Sequence, residues 1–312
     1  MMKKTAGIHH ITAIVGNPQE NVDFYAGVLG LRLVKKTINF DDPGTYHLYF
    51  GDESGNPATA ITFFPWSDGY TGTIGDGQVG VTAFAIPKGS MPFWEKRLEH
   101  FHVSFSIQQR FRERHLHFTD PHGVRLELVE REAGPASTWH FDGISSETAI
   151  KGFAGAVLYS LRPQKTGRLL EEVMGLECVG EEEDYVRYRS EADLGNVIDI
   201  KQTSAGRGQM GVGTVHHIAF RNHDDSDQME WKLLLEARNF GVTPVQDRNY
   251  FHSIYFREFG GILFEMATDR PGFAIDEPKE KLGENLMLPP QYEALRPRLK
   301  QVLQPIKVRL LD

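Results

Sequence analysis

Two histidine pairs stand in short apolar runs at opposite ends of the chain, Ile8-His9-His10-Ile11 and Val215-His216-His217-Ile218. A third polar residue in apolar company is Glu265, inside Ile262-Leu-Phe-Glu-Met266. A carboxylate rarely enters such a stretch unless it is paired or bound to a metal. Neighbouring strand residues face opposite sides, so one histidine of each pair is expected to face a given cavity. Two imidazoles and one carboxylate on rigid strands make a facial triad. It neutralises one of the two charges of a divalent ion and leaves coordination positions open. Such a donor set suits Fe(II) working with dioxygen, and it also accepts Mn(II), Zn(II) or Ni(II).

The elements that must position these residues form a repeated pattern of strand, helix and further strands. A first module opens at Gly7-Ile-His-His-Ile-Thr-Ala-Ile-Val15, has a helix over 19–29, and continues with strands over 31–39, 46–50 and 58–64. A second opens at Gly80, has a helix over 91–100, and closes through 118–129. A third opens at Phe153, has a helix near 166–174, and closes over 196–200. The fourth opens at Thr214, has a helix over 225–238, and closes with Phe256–Met266. Gly30, Gly175 and Gly241 are read as helix stops. The fold class is α+β, with four βαβββ modules forming two incompletely closed barrels. The halves are residues 1–133 and 152–288, with a tail over 289–312 that is read as a packing helix. Glu127 and Asp199 hold the closing-strand positions of modules two and three, whose opening strands carry no histidine. If one ion joins both histidine pairs to Glu265, modules one and four share a barrel. Contiguous pairing would instead set Asp199 beside Glu265 and strand the first pair.

Bulk properties narrow the function classes. The 312 residues are 40% hydrophobic and 24% charged, with a formal net charge of -8. That balance argues against a nucleic-acid partner, and no run is apolar and long enough for a membrane helix. The single Cys178 excludes an internal disulfide and fits a reducing compartment. Lys3 and Lys4 precede a short apolar stretch, but polar residues interrupt it and no cleavage site follows. A cytoplasmic location is expected.

The chain resembles the vicinal-oxygen-chelate (glyoxalase, bleomycin-resistance and extradiol-dioxygenase) superfamily. The segment Tyr255-Phe-Arg-Glu-Phe-Gly-Gly-Ile-Leu-Phe-Glu265 follows that family's closing pattern, with Phe259 where proline is usual. Catechol-cleaving members carry a histidine seven to nine residues before the tyrosine; here that window is Gln246-Asp247-Arg248. The opening His-His pairs, Tyr46-His-Leu-Tyr-Phe-Gly-Asp-Glu53, Ala85-Ile-Pro-Lys-Gly-Ser90 and Asp247-Arg-Asn-Tyr-Phe251 resemble the hydroquinone 1,2-dioxygenases. That resemblance covers the chain to about Gly283.

The resemblance implies an Fe(II)-dependent, non-haem ring-cleaving dioxygenase that opens para-diol aromatics with O2. It assigns His10, His217 and Glu265 as metal ligands. It places His9, Thr12, His216, Arg248 and Tyr255 in or around the active site. It also implies a small aromatic substrate and a homo-oligomer. Phe63, Phe64, Trp66, Phe256 and Phe264 are read as an apolar wall, and His47, His115, His117, His122, His140 and His252 as solvated or packing residues. One alternative is a glyoxalase-type lyase, which usually needs a second acidic ligand; the closing strand Ala60-Ile-Thr-Phe-Phe64 supplies none. The other is a non-catalytic protein that binds quinones or antibiotics.

Overall fold

A computed structural model describes residues 3–311. Module one comprises β1 (Ile8–Val15), α1 (Pro18–Val22, running into a wider turn over Asp23–Val28), β2 (Arg32–Ile38), β3 (Tyr46–Gly51) and β4 (Ala60–Pro65). Module two has β5 (Gln78–Ile86), α2 (Met91–His100), β6 (Phe105–Arg110), β7 (Glu113–Thr119) and β8 (Arg125–Glu130). Module three has β9 (Gly152–Tyr159), α3 (Pro163–Arg168, again running into a wider turn over Leu169–Val173), β10 (Glu177–Glu182), β11 (Tyr185–Arg189) and β12 (Val197–Lys201). Module four has β13 (Thr214–Asn222), α4 (Asp225–Ala237), β14 (Gln246–Asp247), β15 (Phe251–Arg257) and β16 (Leu263–Pro271). In the tail, a 3-10 turn over Pro290–Leu295 leads into the short α5 (Arg296–Val302).

The strands form two eight-stranded sheets. The first is ordered β14-β15-β16-β13-β1-β4-β3-β2 and joins modules four and one. The second is ordered β10-β11-β12-β9-β5-β8-β7-β6 and joins modules three and two. Both share one plan. The two opening strands pair antiparallel at the centre, and each closing strand runs parallel to its own opening strand.

Local chemistry sets the helix ends. Asn17 caps α1 by accepting the amides of Gln19 and Glu20, with Pro18 in the first turn. Asp224 caps α4 through the amide of Asp227. Gly30 and Gly175 follow their helices with φ of +67° and +74°, a conformation that favours glycine. Gly241 does not end α4. The chain leaves that helix at Ala237, and Asn239 takes the left-handed turn with φ of +62°. Asparagine tolerates this conformation better than most residues.

Met91, Trp94 and Leu98 on α2, and Trp231 and Leu235 on α4, are buried in a core shared with Ile11, Phe63, Phe220, Phe256 and Phe264 from the first sheet. Gln228 ties α4 to that sheet by donating to the carbonyls of His252 and Met266. One face of the first sheet is therefore oily and covered. The other carries His10, Thr12, His47, Tyr49, Thr62, His217, Tyr255 and Glu265.

Candidate metal centre

His10 and His217 lie on the two central strands, and Glu265 is on β16 beside β13. Their donor atoms converge. Nε2 of His10 is 3.2 Å from Nε2 of His217 and 3.3 Å from Oε2 of Glu265. Nε2 of His217 is 2.8 Å from the same oxygen. All three side chains are buried. Ligands bound about 2.1 Å from one ion at right angles to each other stand about 3.0 Å apart, so the spacing suits a common cation.

The carboxylate supplies a second sign. Oε1 of Glu265 accepts the Ser253 hydroxyl, but Oε2 is buried without a hydrogen-bond donor. With the two nearby Nε2 atoms kept as metal donors, a cation is what remains to neutralise that oxygen. Burial alone would raise the Glu265 pKa. The two imidazoles overcome burial and hold it well below the usual carboxylate range. Burial pushes His217 down, with partial compensation from Glu265, so its ring stays neutral and its lone pair available.

The paired histidines do not simply alternate across the strand. In the β1–β13 ladder the register slips between Ile8 and His10, and again between Thr12 and Ala13 opposite His217 and Val215. His9 and His216 are thus the extra residues of two β-bulges, which turn each first histidine toward its neighbour. Nδ1 of His9 lies 2.9 Å from Nδ1 of His10, and Nδ1 of His216 lies 2.8 Å from Nδ1 of His217. With Nε2 kept free for a cation, Nδ1–H of His10 donates to His9, and that of His217 donates to His216. Such outer contacts fix the tautomer and orientation of a ligand. Burial keeps both acceptors neutral, pushing His216 down to about 3 and His9 well below its ordinary value. The second sheet carries the same bulges at Gly80 and Ala154.

A cavity of about 390 Å3 opens over the centre, bordered by His10, His217, His216, Arg248, Tyr255, Phe64, Trp66, Phe251 and Leu263. The Nε–H of Arg248 donates to the Tyr255 hydroxyl at 3.2 Å, and a terminal nitrogen lies 3.0 Å from Asp41 at the mouth. Burial and Glu265 push the Tyr255 pKa up, so the phenol keeps its proton. His9 and Thr12 do not border this cavity. His9 packs against Phe251, and Thr12 is fully buried against Thr62.

Two expectations need correction. Phe63, Phe256 and Phe264 are not part of the cavity wall. Each neighbours a residue that faces the cavity (Phe64, Tyr255) or the metal centre (Glu265), so strand alternation turns it into the helix-covered core. His47 is not a bystander, because it borders the cavity together with Tyr49, Asn39 and Phe40. The signal was present in β3, where buried Leu48 and Phe50 alternate with His47 and Tyr49.

Comparison with known proteins agrees with the fold. The profile of the Glyoxalase/Bleomycin resistance protein/Dioxygenase superfamily matches residues 7–128. Over all 312 residues the chain is 64% identical to a Bacillus subtilis (strain 168) protein named "Putative ring-cleaving dioxygenase MhqO", covering 100% of both. The chain belongs to the glyoxalase/bleomycin resistance protein/dioxygenase superfamily. A further member, "Chlorohydroquinone/hydroquinone 1,2-dioxygenase" of Sphingobium indicum, is 34% identical over 313 residues, spanning 96% of this chain and 97% of that one. The crystal structure of a Bacillus subtilis protein named "putative dioxygenase" superposes with a TM-score of 0.98 at 64% identity, covering 99% of this chain and 100% of that one. Glyoxalase I of Zea mays shares the superfamily fold, with a TM-score of 0.63 at 13% identity over 84% of this chain and 92% of its own. Among the described residues no helix is long and apolar enough to cross a membrane.

Proposed function

We propose that this chain is an Fe(II)-dependent ring-cleaving dioxygenase acting on hydroquinone-type para-diols with O2. The observation that carries the reading is the meeting of His10, His217 and Glu265 beneath a cavity with room for an aromatic ring, with donors spaced for a divalent ion. The ring-cleaving names of full-length relatives support it. Bound there, ferrous iron would acidify a coordinated ring hydroxyl and carry electrons between the ring and dioxygen.

The chain's own residues do the rest. Glu265 offsets one charge of the cation and the imidazoles add none, so an anionic ring oxygen is welcomed. Arg248 is permanently cationic and faces the same space, where it stabilises phenolate charge. Tyr255, protonated and held by Arg248, can donate to a substrate oxygen. Phe64, Trp66, Phe251 and Leu263 enclose the ring and exclude water. No histidine stands at Arg248, where catechol-cleaving relatives would carry one, which favours a para-diol. A lyase lacks its second acidic ligand: two residues beyond His10, Thr12 pairs with Thr62, and two residues beyond His217, Ala219 pairs with Glu265. Thr62 thus stands where a second carboxylate would be needed.

The test is to load the protein with Fe(II) anaerobically and record oxygen uptake with hydroquinone, methylhydroquinone and catechol. Stoichiometric uptake with a ring-opened chromophore, highest for a para-diol and abolished by Glu265→Ala, is expected. Tight metal binding with no uptake on any of the three would overturn the reading.

A further inference from the structure

The register that makes Thr62 the counterpart of Glu265 extends one strand outward on each side. On β15, Tyr255 pairs with Glu265. On β3, Tyr49 pairs with Thr62. The two tyrosines are therefore counterparts across the pair of central strands, and both border the cavity. Each hydroxyl has one polar partner, Arg248 for Tyr255 and His47 for Tyr49.

The partners differ in charge. Burial is the main force holding the His47 imidazole well below its ordinary value, so it stays neutral, whereas Arg248 is a cation. The donors differ as well. On the Tyr255 side Glu265 points at the centre. On the Tyr49 side Thr62 is committed to its neighbours, 2.7 Å from the Thr12 hydroxyl and 2.9 Å from Nε2 of His47. Among the described residues β3 and β4 therefore add no donor to the group formed by His10, His217 and Glu265, and a substrate can approach the centre there.

We propose that Tyr49, oriented by His47, is the substrate contact for the second hydroxyl of a para-diol. This rests on the function proposed above. The anionic oxygen belongs near the cation and Arg248; the far, neutral hydroxyl suits an uncharged partner. Tyr49 provides one. Its oxygen lies 2.8 Å from Nδ1 of His47, and one proton is shared along that contact. A phenol can both donate and accept, so whichever way that proton points, the oxygen keeps one hydrogen-bonding function for the cavity. Burial pushes the Tyr49 pKa well up, so no phenolate competes with the anionic end of the substrate. His47 acts through Tyr49 and is a positioning residue. Thr62 and Thr12 anchor the far side of its ring.

The experiment compares anaerobic binding of hydroquinone and 4-methylphenol to the Fe(II)-loaded protein by calorimetry. The second ligand replaces the far hydroxyl by a methyl group of similar size. One neutral hydrogen bond corresponds to a preference of about tenfold for hydroquinone in the wild type. Tyr49→Phe should reduce that preference to about twofold or less while 4-methylphenol affinity holds. His47→Phe, which leaves the hydroxyl but frees it, should lower the preference in the same direction; it provides the second reading if Tyr49→Phe does not fold. Full preference in a folded variant of either kind overturns the assignment. If the wild type still consumes oxygen with hydroquinone in that case, only the role of Tyr49 fails. If it neither binds nor cleaves hydroquinone, the functional reading fails with it.

Discussion

At matching register positions the first sheet carries His10, His217, Glu265 and Thr62, and the second carries Val81, Gly155, Asp199 and Glu127. Both sheets keep a carboxylate on a closing strand, but they neutralise it differently. In the second sheet Arg110 grips Glu127 through both terminal nitrogens, at 3.2 and 2.7 Å, and reaches Asp199 at 2.7 Å. Arg187 holds Asp199 at 2.7 and 2.9 Å, and His115 adds a contact to Glu127 at 2.9 Å. The chain supplies the positive charge and fills the space with it. In the first sheet no guanidinium reaches Glu265, and an open cavity lies above it. The second sheet shows what a carboxylate at this position requires, and by contrast what the first still needs: a cation from outside.

The sharpest way to break this comparison is to remove each carboxylate from the metal-free protein. Glu127→Ala strands the buried Arg110 guanidinium and the His115 ring and should cost about 3–5 kcal/mol in urea unfolding. Glu265→Ala removes a carboxylate that no guanidinium grips and should cost the metal-free protein clearly less than Glu127→Ala does. Equal losses would mean that Glu265 is satisfied within the chain. Adding a divalent ion reverses the roles. Ligand loss in Glu265→Ala should weaken metal binding more than about 100-fold, beyond the range for outer contacts. Glu127→Gln should leave metal affinity unchanged.

His9→Asn sharpens the same contrast on a smaller scale, with a loss of about 10- to 100-fold in metal affinity. At the equivalent bulge in the second sheet, Gly80→Ala should not alter metal affinity. A change there would tie the second sheet to the centre.

Acid titration is a gentler probe, and both carboxylates, Glu127 and Glu265, are held low. Burial opposes ionisation of Glu127, but His115, His117 and Arg110 outweigh it and hold its pKa well below 4.5. A carboxyl depressed on folding stabilises fully above its unfolded value and loses that contribution as pH falls through the folded one. Metal-free wild type should therefore lose stability below about pH 4.5, and Glu127→Gln should show a shallower acid limb. An unchanged slope would assign the acid sensitivity elsewhere.

Much of this was legible in the sequence, for reasons that also mark where reading stops. The modules announce themselves through repeated opening strands and the helix stops at Gly30 and Gly175. The donors stand out because histidine pairs and a glutamate are costly in apolar strands. The apolar wall was overextended because Phe63, Phe256 and Phe264 were grouped by composition, whereas their neighbours' alternation already assigned them to the core. The bulges at His9 and His216 carry no compositional mark, since the equivalent residues in the second sheet are Gly80 and Ala154. The partnership of Tyr49 with His47 and Thr62 needs the register of three strands, which one sequence does not supply.

The adjacency of β1 and β13 also bears on how the molecule comes into being. Ile8 pairs with Phe220, so a central ladder of the first sheet joins segments more than 200 residues apart. Closing so large a loop in an unfolded chain costs on the order of 5 kcal/mol in entropy. The second sheet lies between them in the chain and is built from contiguous modules. Formed first, it shortens the free path between β1 and β13. During synthesis β1 emerges early and must wait for β13, leaving a long strand edge unpaired and open to misassociation. Pulse-labelled hydrogen exchange during refolding should protect β5 and β9 before β1; simultaneous protection would refute this order. The group of His10, His217 and Glu265 is then among the last features completed, and ion binding there would report that the whole chain has folded.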